Sequence, residues 1–230
     1  MTLIQPRQML ADTVYEAIEQ RLVNHDLEPG AKLNISTLAQ ELDVSPTPVR
    51  EALARLEADG LVVKRPNAGY AAAPLMGSKD FDELFEMRLL LEPAAAGRAA
   101  ARVGEDDLRA LTDTLAEMRK VQGGAGSRET LRLFVHQDAL FHDIIANSGG
   151  NTLMADTLRR FRAHTHLYRL YFREGITDAT CREHERVLDA LREADADAAA
   201  ATMRTHLRRA QQRLLPTVIG TGPDDADSRA

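Results

Sequence analysis

The sequence predicts a mostly α protein, an N-terminal winged helix-turn-helix followed by an all-α antiparallel six-helix bundle. Three observations carry this. The 230 residues are 44% hydrophobic but only 4% aromatic, with no Trp, which suits an Ala/Leu-rich helical interior better than a β-sandwich. Residues 44–60 read as a short helix with a defined start and stop, and a small hairpin follows. From residue 79 onward apolar residues recur at helical spacing, punctuated by Gly104, Gly123, Gly124, Gly126, Gly149, Gly150 and Gly175.

In chain order, Leu10, Val14, Ile18 and Leu22 stand four apart and form the apolar face of a helix over 8–24. Pro29-Gly30 breaks the chain. A second helix fits Ser36–Leu42, with Ser36 as cap and Leu38, Ala39 and Leu42 inward; Asp43-Val44 makes the turn. The next helix starts at Ser45, whose hydroxyl can accept from the free N–H groups of the first turn. Pro46 and Pro48 fall in that turn, where a missing N–H costs little. Val49, Leu53 and Leu56 give one stripe, and Gly60 can take the left-handed conformation that ends a helix. Leu61–Arg65 reads as a strand, 66–69 as a turn and 70–73 as a weak second strand. These elements define a domain over 1–73. Residues 74–78 are a linker, with Ser78 as cap of the following helix. Helices are expected near 79–102, 105–121, 128–147, 151–173, 178–193 and 196–215, a second domain over 79–215; the turn at Ala194-Asp195 has no glycine. Residues 216–230 are polar and turn-rich and are expected to be disordered.

Charge and cysteine usage narrow the classes. Net charge is −6, and residues 1–70 carry seven Lys/Arg against ten Asp/Glu, so bulk electrostatics do not call for nucleic acid. DNA binding must rest on local placement of Arg50, Arg55, Lys64 and Arg65. The single cysteine, Cys181, excludes an internal disulfide and fits a reducing compartment. No apolar run approaches membrane-spanning length and no charged-then-apolar opening segment is present, so a cytoplasmic protein without membrane contact is expected.

A helix that packs by one side and offers arginines on the other is what a major groove accepts, although an ordinary surface helix has the same pattern. Arg55 in particular could face DNA or be held in an ion pair within its own domain. The run Val44-Ser45-x-Thr47-Pro48-Val49-Arg50-Glu51-Ala52-Leu53-x-x-Leu56-x-x-x-Gly60-Leu61-Val62, preceded by Leu33…Leu38-Ala39-x-x-Leu42, resembles the DNA-binding signature of GntR-family bacterial transcription regulators over about residues 10–73. The resemblance implies that Ser45, Thr47, Arg50 and the wing near Gly69 touch DNA. Many members carry a basic residue where this chain has Pro46 and another where it has Ala68, so base preference does not carry over.

The second domain holds two chemical signals. Asp138 and His142 are four apart on one helix face with Leu131, Phe134, Val135 and Ile145. His184 shares a stripe with Cys181, Leu188 and Leu191, and His206 one with Ala199, Met203 and Ala210. At about 1.5 Å rise per residue, His184 and His206 lie nearly equal distances from the turn between their helices, so an antiparallel hairpin sets them level. One Asp and three inward His make a divalent metal site of oxygen and imidazole ligands; hydrogen-bonded core histidines are the competing reading. Arg88 sits among Leu84, Phe85, Met87, Leu89, Leu90, Leu91 and Ala95, and a buried guanidinium requires a partner. That partner is either Glu92, one turn on, or the carboxylate of a ligand. His164, Tyr168, Phe161 and Tyr171 share one face and are read as core in preference to pocket.

Asp138-x-x-x-His142, the Asn147-Ser148…Asn151 turn, Glu183-His184 and Met203-x-x-His206-Leu207 resemble the FCD ligand-sensing domain of the FadR-type branch, over about residues 79–214. Six helices rather than seven point to its VanR-like subgroup. The resemblance implies that Asp138, His142, His184 and His206 coordinate the ion, zinc first, with nickel or manganese as alternatives, and that Arg88 meets an acidic effector. The expectation is a homodimeric regulator, a repressor, that binds a palindromic operator in double-stranded DNA and answers to a small organic acid bound beside the metal. The competing class is a metal-dependent enzyme acting on small organic acids, for which no separate general base has motif support.

Overall fold

The computed structural model describes residues 6–23, 25–66, 68–120, 128–161 and 176–219. The chain divides into two units, Met1–Leu75 and Met76–Ala230. No helix among the described residues is long and apolar enough to cross a membrane.

The first unit runs α1 (Pro6–Val23), β1 (Lys32–Leu33), α2 (Ile35–Glu41), α3 (Pro46–Ala58), β2 (Val62–Arg65) and β3 (Gly69–Ala72). Its antiparallel sheet has the order β1-β3-β2, with Leu33 opposite Tyr70 and Val63 opposite Ala71. Strand β1 adds to the expected hairpin; at two residues it is too short to leave a periodic signal. Val14, Ile18 and Leu22 of α1 are buried against Val49, Leu53 and Leu56 of α3. Leu10 is a correction to the expected stripe: it is 42% exposed, and Ala11 and Tyr15 fill the core at that end.

Three caps differ from those expected. Asn34, not Ser36, caps α2, its side-chain oxygen accepting from the Ser36 and Thr37 N–H groups at 2.9 and 3.2 Å. Ser45 holds the N-cap position of α3 with extended backbone, but its hydroxyl makes no capping bond. Pro48 occupies the third helical position and so removes one of the two N–H donors, at the second and third positions, that a serine cap can use. The cap of α4 is Gly77 rather than Ser78, its carbonyl accepting from Phe81 N–H at 3.0 Å. Both helix ends of the helix-turn-helix close with paired backbone bonds around a left-handed residue. After α2 this is Asp43 at φ +52°, with Val44 N–H on Ala39 O at 2.9 Å. After α3 it is Gly60 at φ +73°, with Leu61 N–H on Leu56 O at 2.9 Å.

The second unit has, among the described residues, α4 (Ser78–Ala100), α5 (Glu105–Lys120), α6 (Arg128–Ser148), α7 (Thr152–Arg160), α8 (Ile176–Arg192) and α9 (Ala196–Ile219). The helix expected over 151–173 is described to Arg160; His164, Tyr168 and Tyr171 lie outside the described residues, and so does the choice between six and seven helices. Helix α9 passes through Pro216 to Ile219, beyond the expected end at 215. Leu214 and Val218, four apart and both buried, hold that last turn in place. The α8–α9 turn dispenses with glycine: Ala194 takes φ +54°, Asp195 N–H donates to Ala190 O at 3.0 Å, and the Asp195 side chain caps α9 through Ala198 N–H at 2.9 Å. At the α6–α7 turn the chain runs so close to α4 that a Cβ on Gly149 would lie 3.0 Å from Ala95 O.

Helix α4 packs along α9, α8 forms an antiparallel hairpin with α9, α5 lies against α6 and α8, and α6 against α4. The inward faces of α4, α6, α8 and α9 thus share one interior, and that is where the polar residues collect. Arg88, Glu92, Asp138, His142, Glu183, His184 and His206 are all buried.

Candidate functional site

The first unit exposes a polar face at the start of α3. Ser45, Thr47 and Arg50 are exposed there, while Pro48, Val49, Ala52 and Leu53 anchor the opposite side. Arg50 forms no hydrogen bond or ion pair among the described residues, so its guanidinium is available to a ligand. Arg55 differs. Its guanidinium bonds Asp12 of α1 at 2.5 Å and lies 4.5 Å over the Tyr15 ring, while the Tyr15 hydroxyl donates to Asp59 at 2.6 Å. Arg55 therefore takes the partner within its own domain that its sequence position allowed and ties α3 to α1, while its side chain stays half exposed. In the wing, Gly69 is exposed at φ +82°, and Lys64 sits 5.9 Å over the Tyr70 ring.

The second unit places the three predicted histidines together. The His184 and His206 Nε2 atoms are 3.4 Å apart, as level as the hairpin count required. His142 joins them, and one ligand nitrogen from each ring lies within 4.8 Å of the others. Asp138 approaches from α6, its Oδ1 3.4 Å from His184 Nε2. Two nitrogens about 2.05 Å from one ion at a tetrahedral angle stand about 3.3 Å apart, so the His184–His206 separation is that of two ligands on one ion. The donor set of imidazoles and one carboxylate fits zinc or a similar borderline divalent ion.

What holds the rings was only partly foreseen. Glu92 Oε2 meets His142 Nδ1 at 2.6 Å, and Glu92 Oε1 accepts from Arg88 Nε at 2.5 Å. Arg88 is thus paired with Glu92, one of its two expected partners, and that carboxylate also reaches the histidine. On the other side Glu183 Oε2 meets His206 Nδ1 at 3.0 Å, and the Arg213 fork donates to both Glu183 oxygens at 2.8 Å. Burial alone would raise both carboxyl groups. At Glu92 the charges of Arg88 and His142 outweigh it; at Glu183 the hydrogen bonds from His206 and Arg213 do, holding it down to about 2. Both side chains are gripped by guanidinium donors as carboxylates, which only accept, so a hydrogen bond from His142 or His206 to them needs the proton on Nδ1. Each imidazole, when neutral, keeps its lone pair on Nε2, the arrangement metal-binding histidines require. The His184 ring is held differently, stacked on Phe141 with centroids 4.1 Å apart and planes 5° from parallel.

Glu183 and Arg213 carried no assigned role in the sequence. A signal existed: Arg213 follows His206 by two helical turns and so shares its face, and Glu183 precedes the inward His184. The reach of Glu92 to His142, fifty residues away, left no local trace.

The family profile described as the FCD domain matches residues 83–209, more than half of the chain, and that of bacterial regulatory proteins of the gntR family matches residues 10–71. The Uxu operon transcriptional regulator of Escherichia coli is 31% identical over 226 residues, covering 86% of this chain and 84% of its own. The HTH-type transcriptional regulator LutR of Bacillus subtilis is 29% identical over 213 residues, covering 83% of this chain and 94% of its own. Among solved structures, Escherichia coli McbR/YncC superposes with a TM-score of 0.72 at 21% identity, over 90% of this chain and 97% of that one, a likeness of fold. These relatives are regulators and lend the enzyme alternative nothing. The chain belongs to the gntR family of bacterial regulatory proteins, in the group that carries an FCD domain, and is a DNA-binding transcription regulator rather than an enzyme.

Proposed function

We propose that this regulator is a cytoplasmic homodimer that represses from a palindromic operator and is controlled by a small organic acid bound next to a zinc ion in its helical domain. The observation that carries the reading is the convergence of three buried imidazoles, two of them oriented by carboxylates. Asp138, His142, His184 and His206 would hold the ion, and when bound it supplies a Lewis-acidic centre for an anionic oxygen. A divalent ion held among buried side chains attracts an anionic oxygen, which supports an organic acid as the effector.

At the reading end Ser45, Thr47, Arg50 and the wing backbone at Gly69 meet the DNA. Arg55, held by Asp12 and Tyr15 yet half exposed, reaches DNA only by giving up or sharing that ion pair. Effector binding favours one arrangement of the reading heads by its differential affinity for the two arrangements. A thermal-shift screen of organic acids with and without chelator, paired with operator footprinting, tests this. The expected result is an acid whose stabilisation disappears with the metal and whose addition releases the footprint. Equal stabilisation in chelator, or a footprint indifferent to the acid, refutes it.

A further inference from the structure

We infer that Glu183, anchored by Arg213, is a positioning residue that sets the tautomer of His206 and so aims its Nε2 lone pair at the ion. This rests on the reading that the three histidines hold a metal. A neutral imidazole carries one N–H, and the nitrogen that bears it cannot coordinate. Free histidine in water prefers its proton on Nε2, the wrong nitrogen for this cluster. A carboxylate at Nδ1 reverses that preference, and Glu183 Oε2 stands 3.0 Å from it.

The carboxylate is itself fixed. Arg213 Nη1 and Nη2 donate to Oε1 and Oε2, both at 2.8 Å, the bidentate fork that a lysine could not reproduce. Arg209 Nη1 lies 3.8 Å from Oε1, and Thr180 Oγ1 is 3.4 Å from Arg213 Nη2. Glu183 side-chain exposure is 6%, whereas that of Arg213 is 22% and of Arg209 50%. A buried metal ligand is thereby wired to surface cations on the last turns of α9. The counterpart at His142, Arg88 with Glu92, is sealed at 3% and 7%. Glu183 bears on His206 without touching the Arg88–Glu92 pair.

The test uses the full-length protein and zinc alone. Long-range proton–nitrogen correlations of the metal-free protein at neutral pH read the His206 tautomer, and competition with a chelator reads zinc affinity. The wild type should show His206 protonated on Nδ1. In Glu183→Ala the proton should move to Nε2 and zinc affinity should fall about 10- to 100-fold. Glu183→Gln, which keeps an oxygen acceptor, should restore the Nδ1 proton and most of the affinity, a rescue that loss of packing alone would not produce. An unchanged His206 tautomer in Glu183→Ala, or zinc affinity within about twofold of wild type, overturns the proposal. If Glu183→Ala does not fold, Arg213→Met decides: a mixed tautomer with weakened zinc binding supports it, and no change in either overturns it. A wild type that binds no zinc refutes the metal reading, while the tautomer comparison still judges Glu183.

Discussion

Replacing Arg88 by Met in the metal-free protein separates a structural guanidinium from one kept for a ligand. Arg88 and Glu92 are 3% and 7% exposed and 2.5 Å apart, and Glu92 is a carboxylate because Arg88 and His142 hold it so. Met fills a similar volume, so the cost is mainly the charge left behind. Removing one partner of a buried pair typically costs about 3–5 kcal/mol. His142 still donates to Glu92, which places this case at the lower end, about 3 kcal/mol. For a unit of this size that lowers Tm by about 6–12 °C. Adding Glu92→Gln removes the stranded charge while keeping an acceptor for His142, and should recover most of the loss. The assay is urea denaturation of both variants and of Glu92→Gln alone, read on the helical unit's transition, so that the cycle gives the coupling. A single-variant cost under about 1 kcal/mol, or a double variant no better than Arg88→Met, would falsify the assignment of Arg88 to the pair.

Arg50→Ala should weaken operator binding and reduce the slope of log K against log salt by about one, with Tm unchanged; a salt series of gel shifts measures both, and an unaltered slope removes Arg50 from the phosphate contacts. His206→Ala should abolish stoichiometric zinc and with it any chelator-sensitive part of the melting temperature, read by elemental analysis and calorimetry; full zinc occupancy in this variant is the contrary result. Ala194→Gly should raise stability by about 0.5–1 kcal/mol, since glycine holds φ +54° without the strain alanine carries there. Equal or lower stability by chemical denaturation would mean that the entropy lost on fixing a glycine outweighs that strain.

Apolar periodicity located the described helices to within a few residues, because burial on one face leaves a direct mark on the order of residues. Spacing placed His184 level with His206, since a hairpin of two regular helices is nearly a ruler. It failed where a choice depends on something distant or brief. β1 is two residues long and exists because β3 lies beside it. Asn34 outcompeted Ser36 as a cap by standing one residue outside the helix. Arg55 had two legible destinies, and only the position of α1 selects Asp12 and Tyr15. Likewise Glu92 could be named as a partner for Arg88, while its hold on His142 depends on how α4 meets α6.

The start of α3 relies on Pro46 and Pro48, with the Ser45 hydroxyl taking no part. Folding and recognition are therefore chemically separable at this point. Proline has set the backbone angles in advance, so little chain freedom remains to be lost when DNA arrives. Ser45→Ala can then leave the helix as stable as before, and any operator affinity it loses reports on the hydroxyl alone. A residue that elsewhere opens a helix is here at liberty to act as a pure contact.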